Sequence, residues 1–404
     1  MTLHSGNLPS RAQALRCVRC DKLHPFAPFR YLCDCAAEGA VLDVVYDWQG
    51  LRREDLDLGA RQDMWRYRAL LPIGPDAILP EISVGATPLS PNATLARQVG
   101  VGAVLIKDEG RQPSGSLKDR ASAMAVAHAR EAGFRTIATA STGNAAAALA
   151  CLAANAGLHA VVYVPETTPA EKLLSIRAYG AEVILVAGSY DMAFATCLHE
   201  ARERGWYLRS TAINPLMTEG KKTAAYEICE QLAWRAPEAV FVGVGDGSII
   251  GGLHKGFSDL LALGWIGAMP RIFGVQVAGS NFLYRAWGQQ IPLDQVERRS
   301  ACSIADSLQA EVPQDRFKAL DAVTKTAGAY VEVSDDQVLE AMRLMARCGY
   351  LVEPAAGAAC AGVIRAREQD LLGGRSEAVI LSTGNGLKDI SSLRRMIAMP
   401  SIPK

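Results

Sequence analysis

Four stretches of this sequence gather chemically able residues where a loop hands over to a helical pattern. In Pro113-Ser114-Gly115-Ser116-Leu117-Lys118-Asp119-Arg120, small residues precede a lysine. Such a lysine can present its amine to an aldehyde and form a Schiff base, since small neighbours allow close backbone approach. The plainer reading is a solvated lysine in a first helical turn, a place the helix dipole disfavours for a cation. Ala140-Ser141-Thr142-Gly143-Asn144-Ala145 offers hydroxyls, an amide and unsatisfied helix N–H groups, suited to a carboxylate and a phenolic oxygen or simply to helix capping.

In Val242-Gly243-Val244-Gly245-Asp246-Gly247-Ser248-Ile249-Ile250-Gly251-Gly252, glycines let backbone amides converge on one phosphate at the head of a helix. The run is not a dinucleotide fingerprint, because Ile250 stands where the last glycine belongs. Nor is Glu219-Gly220-Lys221-Lys222-Thr223 a P-loop, since a second lysine follows Gly-Lys and Pro215 occupies the leading glycine position. In Leu381-Ser382-Thr383-Gly384-Asn385-Gly386-Leu387-Lys388-Asp389, Thr383 offers a hydroxyl to a heterocyclic nitrogen while glycines leave room for a flat ring. Alone, it reads as a turn.

These segments need a scaffold that sets them side by side. From about residue 86 short β-rich runs alternate with helical stretches: Val104–Ile106, Thr136–Thr139, Ala160–Val164, Val183–Val186, Val240–Val242 and Ile272–Val275 against Asp119–Ala132, Ala145–Ala156, Ala170–Tyr179 and Asp191–Arg204. That alternation is how a mostly parallel sheet covered by helices appears in sequence, so the fold class is α/β. Open parallel sheets hold ligands at the carboxyl ends of their strands, where all four segments fall. Together they supply an amine for an aldehyde, a donor for a phenolic oxygen, a cup for one phosphate and a hydroxyl for a ring nitrogen. Those are the handles of pyridoxal phosphate.

The chain has 404 residues, 50% of them hydrophobic, enough for large cores and two folded domains with an accessory segment. Lys plus Arg and Asp plus Glu both total 42, which argues for a small-molecule ligand over nucleic acid or a membrane surface. No stretch has the length of a membrane span, and Met1 to Ser10 lacks the order of a secretory signal, so the expected location is cytoplasmic. Of ten cysteines, Cys151, Cys197, Cys229, Cys302, Cys348 and Cys360 sit in apolar stretches and read as small core residues. Cys17, Cys20, Cys33 and Cys35 crowd together; in a reducing compartment they read as four thiolates around a structural zinc or as a metal-free cysteine loop. The six histidines form no constellation at ligand spacing.

In the order of its landmarks the chain resembles the threonine synthase family, within the pyridoxal-phosphate enzymes of fold type II that include the tryptophan synthase β chain. The landmarks are the cysteine segment, Val45-Tyr46-Asp47, Met64-Trp65-Arg66-Tyr67, Gly85-Ala86-Thr87-Pro88-Leu89, the lysine loop, Ser141-Thr142-Gly143-Asn144, Glu219-Gly220-Lys221-Lys222-Thr223, the glycine run, Glu353-Pro354 and Thr383 to Asp389. The resemblance implies two open twisted, mostly parallel sheets covered by helices, with the cofactor in the cleft between domains. It divides the chain into an N-terminal extension (1–85), a large cofactor-binding domain (86–121 and 226–404) and a small domain (122–225), and it implies a homodimer. It implies that Lys118 carries the cofactor as a Schiff base and moves protons at the substrate Cα. It further implies that Asn144 meets the phenolic oxygen, that Gly245, Asp246, Gly247, Ser248 and Ile249 hold the phosphate, and that Thr383 faces the pyridine nitrogen, a neutral partner that tempers ring protonation. Ser116, Ser141, Thr142 and Gly143 are the expected substrate-binding residues.

The departures are Ser114 and Leu117, for the family's threonine and phenylalanine; Met217, where an arginine helps bind substrate phosphate; Ala145 and Ala147, where hydroxyls are common; and Asp246 in the phosphate cup. A thioether cannot replace a guanidinium's charge-assisted contact. These departures point to a substrate without the usual phosphate, while family resemblance keeps a lyase converting O-phosphohomoserine to threonine as the first expectation. The alternatives are a paralogue performing β-elimination or β- or γ-replacement on a serine or homoserine derivative, and a non-catalytic relative that binds cofactor or amino acid.

Overall fold

The computed structural model describes residues 11–399 except Pro28, Phe29, Ala36, Ala60 and Ala212; the Met1–Ser10 segment read above for a signal lies outside the described residues. The chain opens with β1 (Ala12–Cys17), β2 (Leu23–His24) and β3 (Leu42–Tyr46), followed by β4 (Leu89–Pro91), α1 (Ala93–Val99) and β5 (Ala103–Asp108). It continues through α2 (Lys118–Glu131), β6 (Thr136–Ala140), α3 (Asn144–Ala156), β7 (His159–Pro165), α4 (Ala170–Ala178), β8 (Glu182–Val186), α5 (Tyr190–Glu203), β9 (Tyr207–Leu208) and α6 (Leu216–Gln231). The remainder is β10 (Ala239–Gly243), α7 (Ser248–Ala262), β11 (Arg271–Val277), α8 (Phe282–Gln289), α9 (Arg316–Thr324), β12 (Tyr330–Val333), α10 (Asp335–Arg347), α11 (Pro354–Glu368), β13 (Glu377–Ser382) and α12 (Ile390–Ala398).

The chain forms two compact units, residues 1–86 with 118–223 and residues 87–117 with 224–404. The first unit carries a four-stranded parallel sheet of order β8-β7-β6-β9 and a small antiparallel sheet of order β2-β1-β3. Residues of the N-terminal segment, such as Leu15, Leu42 and Trp65, share one core with Met124 of α2 and Leu149 of α3.

The second unit is built on a six-stranded sheet of order β12-β11-β10-β13-β5-β4, parallel except for β4. β10 (Ala-Val-Phe-Val-Gly) is buried along its whole length, as expected of a strand covered on both faces. α11 is alanine- and glycine-rich and buried through most of its length, packing on β10, β11 and β13. The architecture is thus the expected α/β arrangement of two mostly parallel sheets. Two of the six scattered cysteines depart from the core reading: Cys302 is exposed and Cys348 partly so. Cys302 lies in a loop tied by its N–H to the Gly279 carbonyl (2.9 Å), and Cys348, the C-cap of α10, packs half-buried against the rim of the second unit's core.

Candidate active site

In the second unit β10, β13 and β5 are adjacent parallel strands, so the loops leaving their carboxyl ends share one edge of the sheet. Those loops are the glycine run, the Thr383 segment and the lysine loop. The lysine loop is clasped to the Thr383 segment at four points. Ser114 O accepts from Lys388 Nζ (2.7 Å) and Gly115 O from Asn385 N (3.0 Å); Ser116 bridges Gly384; Leu117 N donates to Thr383 O (2.9 Å). Lys118 follows by one peptide bond.

The glycine run leaves β10 with Val244 N donating to Val275 O (2.8 Å) and ends at Gly247, the N-cap of the 15-residue α7, which makes no side-chain cap. The head of α7 therefore offers backbone donors and the positive end of its dipole to an anion. Asp246, whose carboxylate looked ill-placed for a phosphate cup, is occupied otherwise: its Oδ1 accepts from Gln314 N (2.9 Å) and its carbonyl from Asp315 N (3.0 Å). It anchors the segment leading into α9.

Thr383 is buried, and its hydroxyl donates to Glu353 Oε1 (2.8 Å). Glu353-Pro354, one of the landmarks of the sequence, is also a helix start, with Glu353 the N-cap of α11 and Pro354 its first residue. The hydroxyls of Ser116 and Ser382 are buried with no hydrogen-bond partner among the described residues. Unpaired buried hydroxyls are costly, and these two lie on the edge where a polar ligand is expected. The residues present fit a phosphorylated heterocycle carrying an aldehyde.

In the first unit Lys118 is the half-buried first residue of α2, and Asn144 opens α3 directly after Ser141, Thr142 and the exposed Gly143. Ser141 Oγ accepts from Gly143 N (3.3 Å), and the N-cap Gly143 leaves α3 without a side-chain cap. α2 is held hard against α6: a Cβ on Gly220 would lie 2.2 Å from the Arg120 carbonyl oxygen. Met217, at the position of the family arginine, is fully buried in the core of this unit.

Arg209, which sequence reading missed, follows β9 beside β6, with its N–H on Ala138 O (2.8 Å). Its buried guanidinium donates to Ser122 Oγ (3.1 Å) and Thr211 Oγ1 (2.8 Å), while Nη2 has no partner among the described residues. Burial pushes it down to about 10, opposed by the nearby Asp119 carboxylate. A lone charge at a strand's carboxyl end was the available signal.

The sulfurs of Cys17, Cys20, Cys33 and Cys35 lie within 4.8 Å of one another, with Cys17 to Cys35 at 4.0 Å and Cys20 to Cys33 at 3.7 Å. Edges near 3.8 Å are what a tetrahedron with Zn–S of about 2.3 Å requires. His24 joins them, its Nε2 3.2 Å from Cys33 Sγ, because β2 pairs with β1; spacing in sequence hides this.

A family model described as pyridoxal-phosphate dependent enzyme matches residues 81–384. The threonine synthase of Methanocaldococcus jannaschii is 34% identical over 379 residues, 93% of this chain and 92% of that protein. The threonine synthase of Synechocystis is 36% identical over 326 residues, 80% of this chain and 82% of the other. Among solved structures, a pyridoxal 5'-phosphate-dependent aspartate racemase superposes with a TM-score of 0.65 at 25% identity, over 76% of this chain and 92% of that one.

Proposed function

Because this chain belongs to the threonine synthase family of the fold type II pyridoxal-phosphate dependent enzymes, we propose that it uses Lys118 to hold the cofactor aldehyde and to move the proton at the substrate Cα. The chain is a threonine synthase-like lyase. The observation that carries the site assignment is the four-point clasp that fastens the residues before Lys118 to the Thr383 segment, beside the uncapped head of α7.

In this reading the amides of Gly245 to Ile249 hold the phosphate, Asn144 donates to the phenolic oxygen and Thr383 meets the ring nitrogen. When bound, pyridoxal phosphate supplies an electron-withdrawing ring conjugated to the substrate Cα. Ser116, Ser141, Thr142 and Gly143 orient the substrate; Ser116 brings a buried hydroxyl still in need of a partner, and the backbone at Gly143 is open to a carboxylate.

The first substrate is O-phosphohomoserine, with water added at Cβ and phosphate lost from Cγ to give threonine. Met217 favours a second reading, a β or γ leaving group on another serine or homoserine derivative, since its buried thioether offers no charge to a phosphate. Arg209, with a donor that has no partner among the described residues, is a cation of the first unit that suits such an anion. By family likeness the reading extends to a cytoplasmic homodimer with a small amino-acid substrate and neither nucleic-acid nor membrane partner. No helix among the described residues is long and apolar enough to cross a membrane. Cys17, Cys20, Cys33 and Cys35 hold a structural zinc in this reading, with His24 donating to the Cys33 sulfur.

The test is to incubate purified holoenzyme separately with O-phosphohomoserine, O-phosphoserine, serine and threonine, measuring phosphate, threonine and keto acid. Threonine with stoichiometric phosphate from O-phosphohomoserine alone supports the first reading; turnover of O-phosphoserine in its place selects the second. Cofactor binding with no turnover of any of them leaves only a binding protein. Borohydride fixing the cofactor to a residue other than Lys118 overturns the site.

A further inference from the structure

We infer that a cavity at the carboxyl end of β11, lined only by residues of the second unit, binds a small free α-amino acid. It shares no residue with the substrate site proposed above.

The cavity, about 130 Å³, lies between the turn that leaves β11, the start of α8 and the loops at Arg299 and Ala310. A cavity of about 150 Å³ accepts benzene, so this one is sized for a molecule of a few heavy atoms. Its walls are stitched together. The buried Ser280 hydroxyl shares its proton between Leu308 O (3.0 Å) and Ala310 O (3.2 Å) and accepts from Ala310 N (3.0 Å). Tyr284 N donates to Gln276 Oε1 (2.9 Å), which ties α8 to β11. A preformed hollow on which a few polar groups converge is the usual form of a small-molecule site.

The converging groups are two guanidiniums and a carboxylate. Arg285 donates from Nε to Asn281 Oδ1 (3.0 Å) and from Nη2 to Glu297 O (2.9 Å). Arg299 donates from Nε and Nη2 to Glu297 Oε2 (2.8 and 2.6 Å). Both side chains line the cavity, and Nη1 of each has no hydrogen-bond partner among the described residues. Burial and then the Arg299 charge hold the Arg285 guanidinium below its usual range, so an anion set between the two relieves their repulsion. Guanidinium forks match the geometry of a carboxylate. Glu311 lines the same cavity and has no hydrogen-bond or ion-pair partner among the described residues; it suits an ammonium. Ala278, Phe282 and Ala310 leave an apolar wall for a short side chain.

Charge balance selects among anions. Glu297 and Glu332 already act on Arg285, and Glu332 accepts from Asn281 Nδ2. With Glu311 present as well, a phosphate or a bare carboxylate adds charge of the sign already supplied. An amino-acid zwitterion adds none, and each of its poles meets its opposite.

The experiment is a calorimetric titration of borohydride-reduced holoenzyme, whose cofactor can no longer exchange its lysine for an amino acid. The ligands are L-alanine, acetate, methylamine and inorganic phosphate, and the proteins are wild type, Arg299→Gln and Glu311→Gln. Arg299 and Glu311 are exposed, so both variants should melt as wild type does. We expect one alanine per chain, bound at least about tenfold more weakly by either variant, and acetate at least about tenfold weaker than alanine in wild type. No binding of alanine, or equal binding by wild type and either variant, overturns the site. Acetate, methylamine or phosphate matching alanine overturns the amino-acid assignment. Neither result touches Lys118. Conversely, cofactor left unfixed by borohydride sinks the lysine assignment alone, since the same titration then runs on the purified protein.

Discussion

The backbone N–H of Leu117 donates to the carbonyl of Thr383 at 2.9 Å, so the residue before the candidate lysine is bonded to the residue assigned to the ring nitrogen. Replacing Leu117 with Pro removes that donor and leaves a buried carbonyl unpaired, a cost of about 1–3 kcal/mol. We expect Leu117→Pro to weaken cofactor binding by about tenfold, the equivalent of 1.4 kcal/mol, in a spectrophotometric titration of apoenzyme. Leu117→Met, which keeps the N–H and the volume, should bind as wild type; equal affinities for the two variants would count against the clasp.

Within the second unit Lys107 Nζ and Glu227 Oε2 form a wholly buried ion pair at 2.7 Å, and the ammonium also donates to Thr87 O and Gln231 Oε1. Removing one partner strands the other charge, so Glu227→Ala should lose about 3–5 kcal/mol while Lys107→Met with Glu227→Leu stays close to neutral. Urea midpoints of the three proteins check this. A single variant as stable as wild type would show that the pair contributes little.

His128 is buried beside Phe26 and Tyr207, with Nδ1 3.0 Å from the Tyr207 hydroxyl oxygen, and burial lowers its pKa from 6.5 to about 4. The unfolded chain then binds this proton more readily than the folded one. The resulting stability is fully present above pH 6.5 and is lost as pH falls toward about 4. At most it amounts to about 3 kcal/mol. Denaturation midpoints across that window should fall less steeply for His128→Gln than for wild type; parallel curves would remove His128 as the cause.

Purified protein should carry zinc released by mercurial treatment of its thiols, and Cys17→Ser should lose it along with thermal stability. The expected loss is several kcal/mol, since structural zinc contributes folding energy directly. Native protein that is metal-free, yet melts as high with added zinc as without it, would favour the plain cysteine loop.

Much of this was legible in the chain because parallel strands buried on both faces write themselves as apolar runs, and their helices as long alanine-rich stretches closed by glycine. The runs around Val240 and Ile272 became β10 and β11 for that reason. Contacts between residues far apart in sequence leave no such mark. Glu353 reaches Thr383 across 30 positions, and each segment alone reads as ordinary punctuation. His24, set beside Leu15 by the pairing of β2 with β1, meets Cys33, which lies in neither strand. Asp246 looked like an intruder because its type was visible while its acceptor role toward Gln314 was not. Arg209 went unnoticed because its one mark in the sequence, a lone charge at a strand's end, says nothing of the burial that sets it apart.

Gly220 touches the backbone of α2 at Arg120, two residues beyond Lys118. Any methyl group added there would shove the very turn that carries the amine. Directed evolution toward new leaving groups will therefore find position 220 closed to every other amino acid.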